Sequence, residues 1–210
     1  MQNLFKKIIF SVFFLFFASI NVFANDKIVE IKGGVLINKE PAEKNSVLNG
    51  GDEIETLHDG FIKFVFSKSA YSIKKNSAFI LPEDSEKSLG NLLKGSLLSA
   101  YKKGGDRKLK ITHGVLAVRG TGIHVESGHE QSAVCLCYGD AELTTNYENV
   151  KLSSEKKYHQ IVHIQPDGNV MLTDLNSCKF DHWSTQNVAL EKLIGNPSPF
   201  KKGLRGFLNE

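Results

Sequence analysis

The sequence predicts an all-β protein, a sandwich or roll of short strands with one short helix near the C-terminus. Between Lys27 and Thr145, short runs of alternating or β-branched residues recur at close intervals. Glycine-containing polar turns separate these runs, and no helix of crossover length lies between the early strands. This pattern disfavours strand-helix-strand units and favours an antiparallel β fold.

Composition supports a folded domain and argues against several other classes of protein. The 210 residues are 41% hydrophobic and 23% charged, which is too apolar for a disordered chain. No repeat typical of a collagen or a coiled coil is present. The formal net charge is only +3, so the basic excess that a phosphate-binding surface needs is missing. Nucleic acid is therefore not the expected partner.

The first 24 residues have the pattern of a signal peptide. Lys6 and Lys7 precede a long apolar run that ends in small side chains at Ala24, where we predict cleavage. An uncleaved anchor is the alternative, but no second apolar stretch of comparable length follows. We therefore expect a periplasmic protein that is not an integral membrane protein once residues 1–24 are removed.

Residues 25–145 form the predicted β domain, and each strand candidate is bounded by a turn signal. The stretch 92–100 is ambiguous between helix and strand. The strand candidates are KIVEIK (27–32), GVLINKE (34–40), FIKFVF (61–66), YSIKK (71–75), KLKITHGVLAV (108–118) and SAVCLCY (132–138).

Residues 146–200 are predicted to form a C-terminal extension with further strands and one short helix. Val188, Leu190, Leu193 and Ile194 recur at helical spacing, and Gly195 is the predicted end of the helix. The basic segment 201–210 is predicted to be a flexible tail.

Several motifs resemble the FecR domain, the exported β-rich domain named after the iron-citrate signalling regulator. They are the segments 48–56, 60–64, 114–125 and 139–143, which include a glycine-aspartate turn and an arginine-glycine-threonine segment. The resemblance implies an all-β domain linked to signalling at the cell surface, with another envelope protein as the expected partner. We predict structural roles for the motif residues Gly51, Asp52, Arg119, Gly120, Thr121 and Gly139.

The second half of the chain is similar to a narrower branch of that family. This branch has a Cys-x-Cys-Tyr-Gly motif on the last strand of the domain, followed by histidines and a closing helix. The matching positions are Cys135–Gly139, His159, His182 and the helical segment at 190–195.

Cys135 and Cys137 suggest a metal site in the second half of the chain, which is one of three hypotheses for these cysteines. Residues two apart in a strand point to the same face, with their α-carbons roughly 6 to 7 Å apart. If the tail folds back over this strand, His159 and His182 could complete a set of two sulfurs and two nitrogens. Such a set suits zinc, copper or iron, and the cofactor stays unidentified at this point. His163 is a substitute ligand.

Two other interpretations of the cysteines stay open. The chain has three cysteines, and in an oxidising compartment Cys178 is the better disulfide partner for either Cys135 or Cys137, because a bridge within one regular strand would be strained. Alternatively, both residues pack as small apolar side chains. Most of the other histidines, His124 among them, are expected to be solvated or satisfied by local hydrogen bonds.

No catalytic motif emerges from the sequence. It lacks a nucleophile elbow, a phosphate-binding loop and a helical zinc-protease motif. We therefore predict a non-catalytic binding or sensing module of the cell envelope that holds a metal or cofactor through the Cys/His set. The alternative is a structural protein-protein interaction module whose cysteines form a disulfide or pack in the core.

Overall fold

The computed structural model describes residues 26–102, 107–154, 160–173 and 189–195, and it confirms the all-β class. Within these ranges residues 189–193 form a short helix, α1, and no helix is long and apolar enough to cross a membrane. The strands are β1 Lys27–Lys32, β2 Val35–Ile37, β3 Glu40–Pro41, β4 Glu53–Thr56, β5 Phe61–Phe66, β6 Ser69–Ile73, β7 Ser77–Ile80, β8 Ser88–Tyr101, β9 Arg107–Ile111, β10 Gly114–Ser127, β11 Ser132–Thr144, β12 Asn149–Ser154, β13 Gln160–Ile164 and β14 Val170–Thr173.

Strand pairing divides the fold into two layers that share three long strands. Layer A has the order β3-β2-β4-β7-β8-β9-β10-β11-β12, and it uses the first parts of β8 and β10 and the last part of β11. Layer B has the order β1-β5-β6-β8-β10-β11-β13-β14, and it uses the remaining part of each long strand. All pairings are antiparallel except that of β8 with β9. Because β8, β10 and β11 continue from one layer into the other, they join the two layers along one side of the sandwich.

The three shared strands are 13 or 14 residues long, so the expectation of short strands is wrong for them. The ambiguous stretch 92–100 lies inside β8. This strand pairs with β7 and β9 up to Lys94, and with β6 and β10 from Gly95 onward. Gly95 has φ +93°, a conformation that side chains with a Cβ rarely adopt. The strand therefore changes layers at a residue that only glycine suits.

A large aromatic cluster fills the space between the layers. Tyr71 of layer B stacks on Phe64 at 5.0 Å between ring centroids and meets Phe79 of layer A at 5.5 Å. Its hydroxyl donates to the carbonyl of Leu89, also in layer A, at 3.4 Å. Burial of these side chains removes a large apolar area from water, which is the main term that holds two sheets together.

The glycine-aspartate turn before β4 is held by the Asp52 carboxylate. Its oxygens accept from the backbone N–H of Asn49 at 2.7 Å and from Nδ2 of Asn38 at 2.8 Å. Asn38 in turn accepts from the N–H of Glu53 through Oδ1. Gly51, directly before Asp52, has φ +86°, a conformation that favours glycine. Asn38 therefore stabilises this turn together with Asp52, although the sequence pattern does not predict a role for Asn38.

The arginine-glycine-threonine segment lies at a bend where β10 and β11 leave their regular register. Regular pairing between the two strands is interrupted from Arg119 to Gly122. Gly120 has φ +61° and Gly139 has φ +85° on the facing strand, where a Cβ would come within 2.5 Å of Cγ2 of Thr121. The Arg119 side chain is exposed and Thr121 is fully buried. Two adjacent long strands thus bend together at this point.

Candidate functional site

Layer B has a second apolar face, directed away from the main core. We call this set of residues the outer cluster, and it is distinct from the aromatic core. It contains Val65, Ala70, Leu98, Ala100, Cys135, Cys137, Ile161 and Leu190. An apolar sheet face stays stable in water only if another element covers it. Seven of these residues belong to strands of layer B, and Leu190 belongs to α1.

Helix α1 packs against this face through the residues that the sequence places at helical spacing. Leu190 is fully buried in the outer cluster, and Leu193 and Ile194 are partly buried against it. Gly195 follows the helix with φ +69°, and its N–H donates to the carbonyl of Lys192. The predicted end of the helix at Gly195 is thus found in the structure. This part of the tail does fold back over the sheet.

Cys135 and Cys137 both lie in the outer cluster, whereas Leu136 between them belongs to the main core. Both cysteines are buried, and they are not joined to each other by a disulfide. Ile123 pairs with Leu136 and Gly122 pairs with Tyr138, so Cys137 stands in a β-bulge between two registered pairs. The bulge brings the Tyr138 ring to the same side, where it packs against the outer cluster. The two sulfurs therefore share one covered face.

The other two predicted ligands, His159 and His182, lie outside the described residues, as does Cys178, the predicted disulfide partner. Across the described ranges, no three side chains of His, Cys, Asp or Glu come together closely enough to hold a metal ion. His163, the substitute ligand, lies on β13 opposite Ala133 and is half-buried. Cys135 and Cys137 share one face of β11, as their spacing predicts.

His124 lies next to the outer cluster, although we predicted a solvated or locally hydrogen-bonded side chain for it. It lies on β10 directly opposite Cys135 of β11 and Leu98 of β8. The ring is 2% exposed rather than solvated, and its Nε2 is 2.9 Å from Oγ of Ser96. Burial, with a smaller contribution from the positive charge of Lys74, lowers the pKa of His124 to about 3. The imidazole is therefore neutral at pH 7.

Two acidic side chains lie near this face in different surroundings. The carboxylate of Glu126 is largely exposed, and one of its oxygens is 3.8 Å from Nε2 of His124. Glu191 follows Leu190 on α1 and is 1% exposed. Buried carboxylates are rare in an apolar setting, because transfer of the charge from water is unfavourable. One carboxylate is therefore buried on α1, and the other lies in solvent beside His124.

The fold is similar to one seen in solved structures. Two crystal structures described as a "putative anti-sigma factor" from Parabacteroides distasonis each match with a TM-score of 0.54 and 13% sequence identity. In each case the match covers 62% of this chain and 63% of that chain. At this identity the similarity shows the fold alone.

The sequence matches no protein-family model and no curated protein. The FecR-like resemblance therefore rests on the motifs of the sequence itself.

Proposed function

We propose that this chain is an exported, non-catalytic binding or sensing module of FecR-like type in the cell envelope. Three features support the proposal: the signal-peptide pattern of residues 1–24, the motifs at 48–56 and 114–125, and a fold similar to that of proteins described as anti-sigma factors. The absence of a catalytic sequence motif agrees with a module that recognises rather than transforms its ligand.

The site of recognition in this proposal is a metal or cofactor site built on Cys135 and Cys137, with His159 and His182 as further ligands. The observation that carries it is the return of α1 to the face on which both cysteines lie. Thiolate and imidazole ligands favour zinc, copper or iron over calcium or magnesium.

The alternative function is that of a structural interaction module with packed cysteines. The membership of both cysteines in an apolar cluster favours it, since buried cysteine behaves as a small hydrophobic residue. In this case an envelope protein would be the ligand. Met171 and Leu172 on β14 are exposed at the end of layer B, where a partner strand could be added.

Metal titration of the untagged mature chain separates the two functions. Under the metal proposal the wild-type protein binds about one Zn²⁺ or Cu⁺ in the presence of a competing chelator, and Cys135→Ser/Cys137→Ser lowers the affinity by at least about 100-fold, because two thiolates are lost. Retention of wild-type affinity by the double variant would exclude the site.

Cys178→Ser is the matched control for this titration. It removes one thiol but leaves the proposed ligand set intact, so we expect wild-type metal affinity. If Cys178→Ser instead removes a disulfide that peptide mapping finds in the wild-type protein, the cysteines are structural and the interaction module is the better account.

A further inference from the structure

The two layers bring a group of buried polar side chains together at one end of the main core. Arg107 is the first residue of β9, and its side chain shares the inner face of the strand with Leu109 and Ile111. Ser69 begins β6, Tyr101 ends β8, and these two residues are paired in register. Arg107 is 8% exposed, while Ser69 and Tyr101 are each 1% exposed. An arginine side chain therefore lies between the layers, where the strands begin and end.

The contacts of the Arg107 guanidinium are all with neutral groups. Nη1 donates to Oγ of Ser69 and Nη2 donates to the carbonyl of Lys102, both at 3.2 Å. The guanidinium also lies 5.9 Å from the centroid of the Tyr101 ring. Among the described residues, no carboxylate forms an ion pair with Arg107. Buried arginines normally have an anionic partner, because an uncompensated charge in the interior is destabilising.

Hydrogen-bond donors outnumber acceptors in this group of side chains. A guanidinium has five N–H donors in a fixed fork, and Arg107 uses two of them in the bonds to Ser69 and Lys102. Burial raises the pKa of Tyr71 to about 12 and raises the pKa of Tyr101 well above its usual range. Both phenols therefore keep their protons at pH 7. A donor-rich group with a buried positive charge is suited to an anion.

We propose that Arg107 and Ser69 bind an oxyanion, the carboxylate or phosphate group of a small molecule, at this end of the sandwich. The planar fork of a guanidinium matches two oxygens of either group, and the Ser69 hydroxyl can rotate to donate to the same anion. Such hydrogen bonds are stronger between apolar sheets than in water. The inference goes beyond the metal proposal, because Tyr101 and its neighbours belong to the main core and the two cysteines to the outer cluster.

Titration of the mature chain with inorganic phosphate and with acetate, at constant ionic strength, tests this assignment. In ¹H–¹⁵N spectra, we expect the Nε–H resonance of Arg107 to shift until the site is saturated, with a Kd of about 1 mM or below for the preferred anion. The Arg119 side chain is exposed, so its Nε–H resonance is the internal control and is expected to show no saturable shift. An Arg107 resonance that does not shift with either anion would overturn the proposal.

Arg107→Lys and Lys108→Gln are a matched pair of variants for calorimetric titration. Arg107→Lys keeps the charge but loses the fork, so we expect the affinity for the anion to fall at least about tenfold. Lys108 is the exposed neighbour of Arg107 on β9, and Lys108→Gln is expected to change the affinity by less than about twofold, because solvent screens its charge. Equal losses in the two variants would mean that the anion responds to net charge alone, and the assignment to Arg107 would be wrong.

Two further variants separate this site from its alternatives. Asp106 precedes Arg107 in the sequence and lies outside the described residues. If phosphate and acetate bind to Asp106→Asn but not to the wild-type protein, a carboxylate of the chain itself is the partner of Arg107 and the proposal is wrong. Unchanged anion affinity in Cys135→Ser/Cys137→Ser would support an oxyanion site that is separate from the proposed metal site.

Discussion

Replacement of Gly95 by alanine is expected to lower the free energy of unfolding by about 3 to 5 kcal/mol, which is large for a single methyl group. Gly95 has φ +93°, where a Cβ is strained. The added Cβ would also come within 2.5 Å of the Cα of Ser77, a backbone atom that a side-chain rotation cannot move. Ser77 is fixed as well, since its Oγ donates to the carbonyl of Lys74 and accepts from the N–H of Ser96.

Urea unfolding measures this loss of stability. The variant Gly51→Ala is the control, because it separates backbone strain at positive φ from steric overlap with a neighbouring residue. Gly51 has a similar φ of +86°, but the nearest atom to its added Cβ is a flexible carboxylate oxygen of Glu83 at 3.4 Å. We expect Gly51→Ala to lower stability by about 1 to 2 kcal/mol, the strain alone. If Gly95→Ala has no larger effect than Gly51→Ala, the bend of β8 between the layers does not depend on close contact with Ser77.

Leu190→Asp is expected to detach α1 from layer B without unfolding the sandwich. Leu190 is fully buried in the outer cluster, and a carboxylate there would lose its hydration without gaining a partner. The main core is a separate cluster and keeps its contacts. Each 1.4 kcal/mol of lost docking free energy changes the open fraction about tenfold, so alkylation of Cys135 and Cys137 should accelerate by at least about tenfold.

Ala189→Asp is the control for this experiment. It adds the same charge at the neighbouring residue of the same helix, but Ala189 is exposed. Peptide mapping after a timed reaction with iodoacetamide gives the rate at each cysteine, and far-ultraviolet circular dichroism verifies that the strands persist. Equal rates in the two variants would mean that α1 does not protect the cysteines.

The sequence predicts those parts of the fold that depend on local periodicity. The run FIKFVF becomes β5, Leu190 and Leu193 lie on the buried side of α1, and Ile194 packs on the same face directly after the helix. The period of two places Cys135 and Cys137 on one face and Leu136 on the other, because this alternation follows from backbone geometry and not from the neighbours of the strand.

Long-range pairing explains what the sequence could not predict. Gly95 signals a bend, but it does not say which strands lie beyond the bend, so β8 is ambiguous in the sequence. The sequence neighbours of His124 predict a solvated side chain or one with local hydrogen bonds. Its hydrogen-bond partner in the structure, Ser96, is 28 residues away in the sequence. The position of His124 opposite Cys135 depends on the exact register of β10 and β11, which includes a bulge.

We propose that the covered face of layer B holds a metal ion through Cys135 and Cys137. The most direct test of this site is the metal content of the untagged wild-type protein, purified under gentle conditions, together with a count of its free thiols. We expect about one equivalent of zinc, copper or iron per chain, with the thiols of Cys135 and Cys137 recovered when a chelator removes the ion. A metal-free protein with a mapped disulfide to Cys178 would contradict it and leave a structural interaction module.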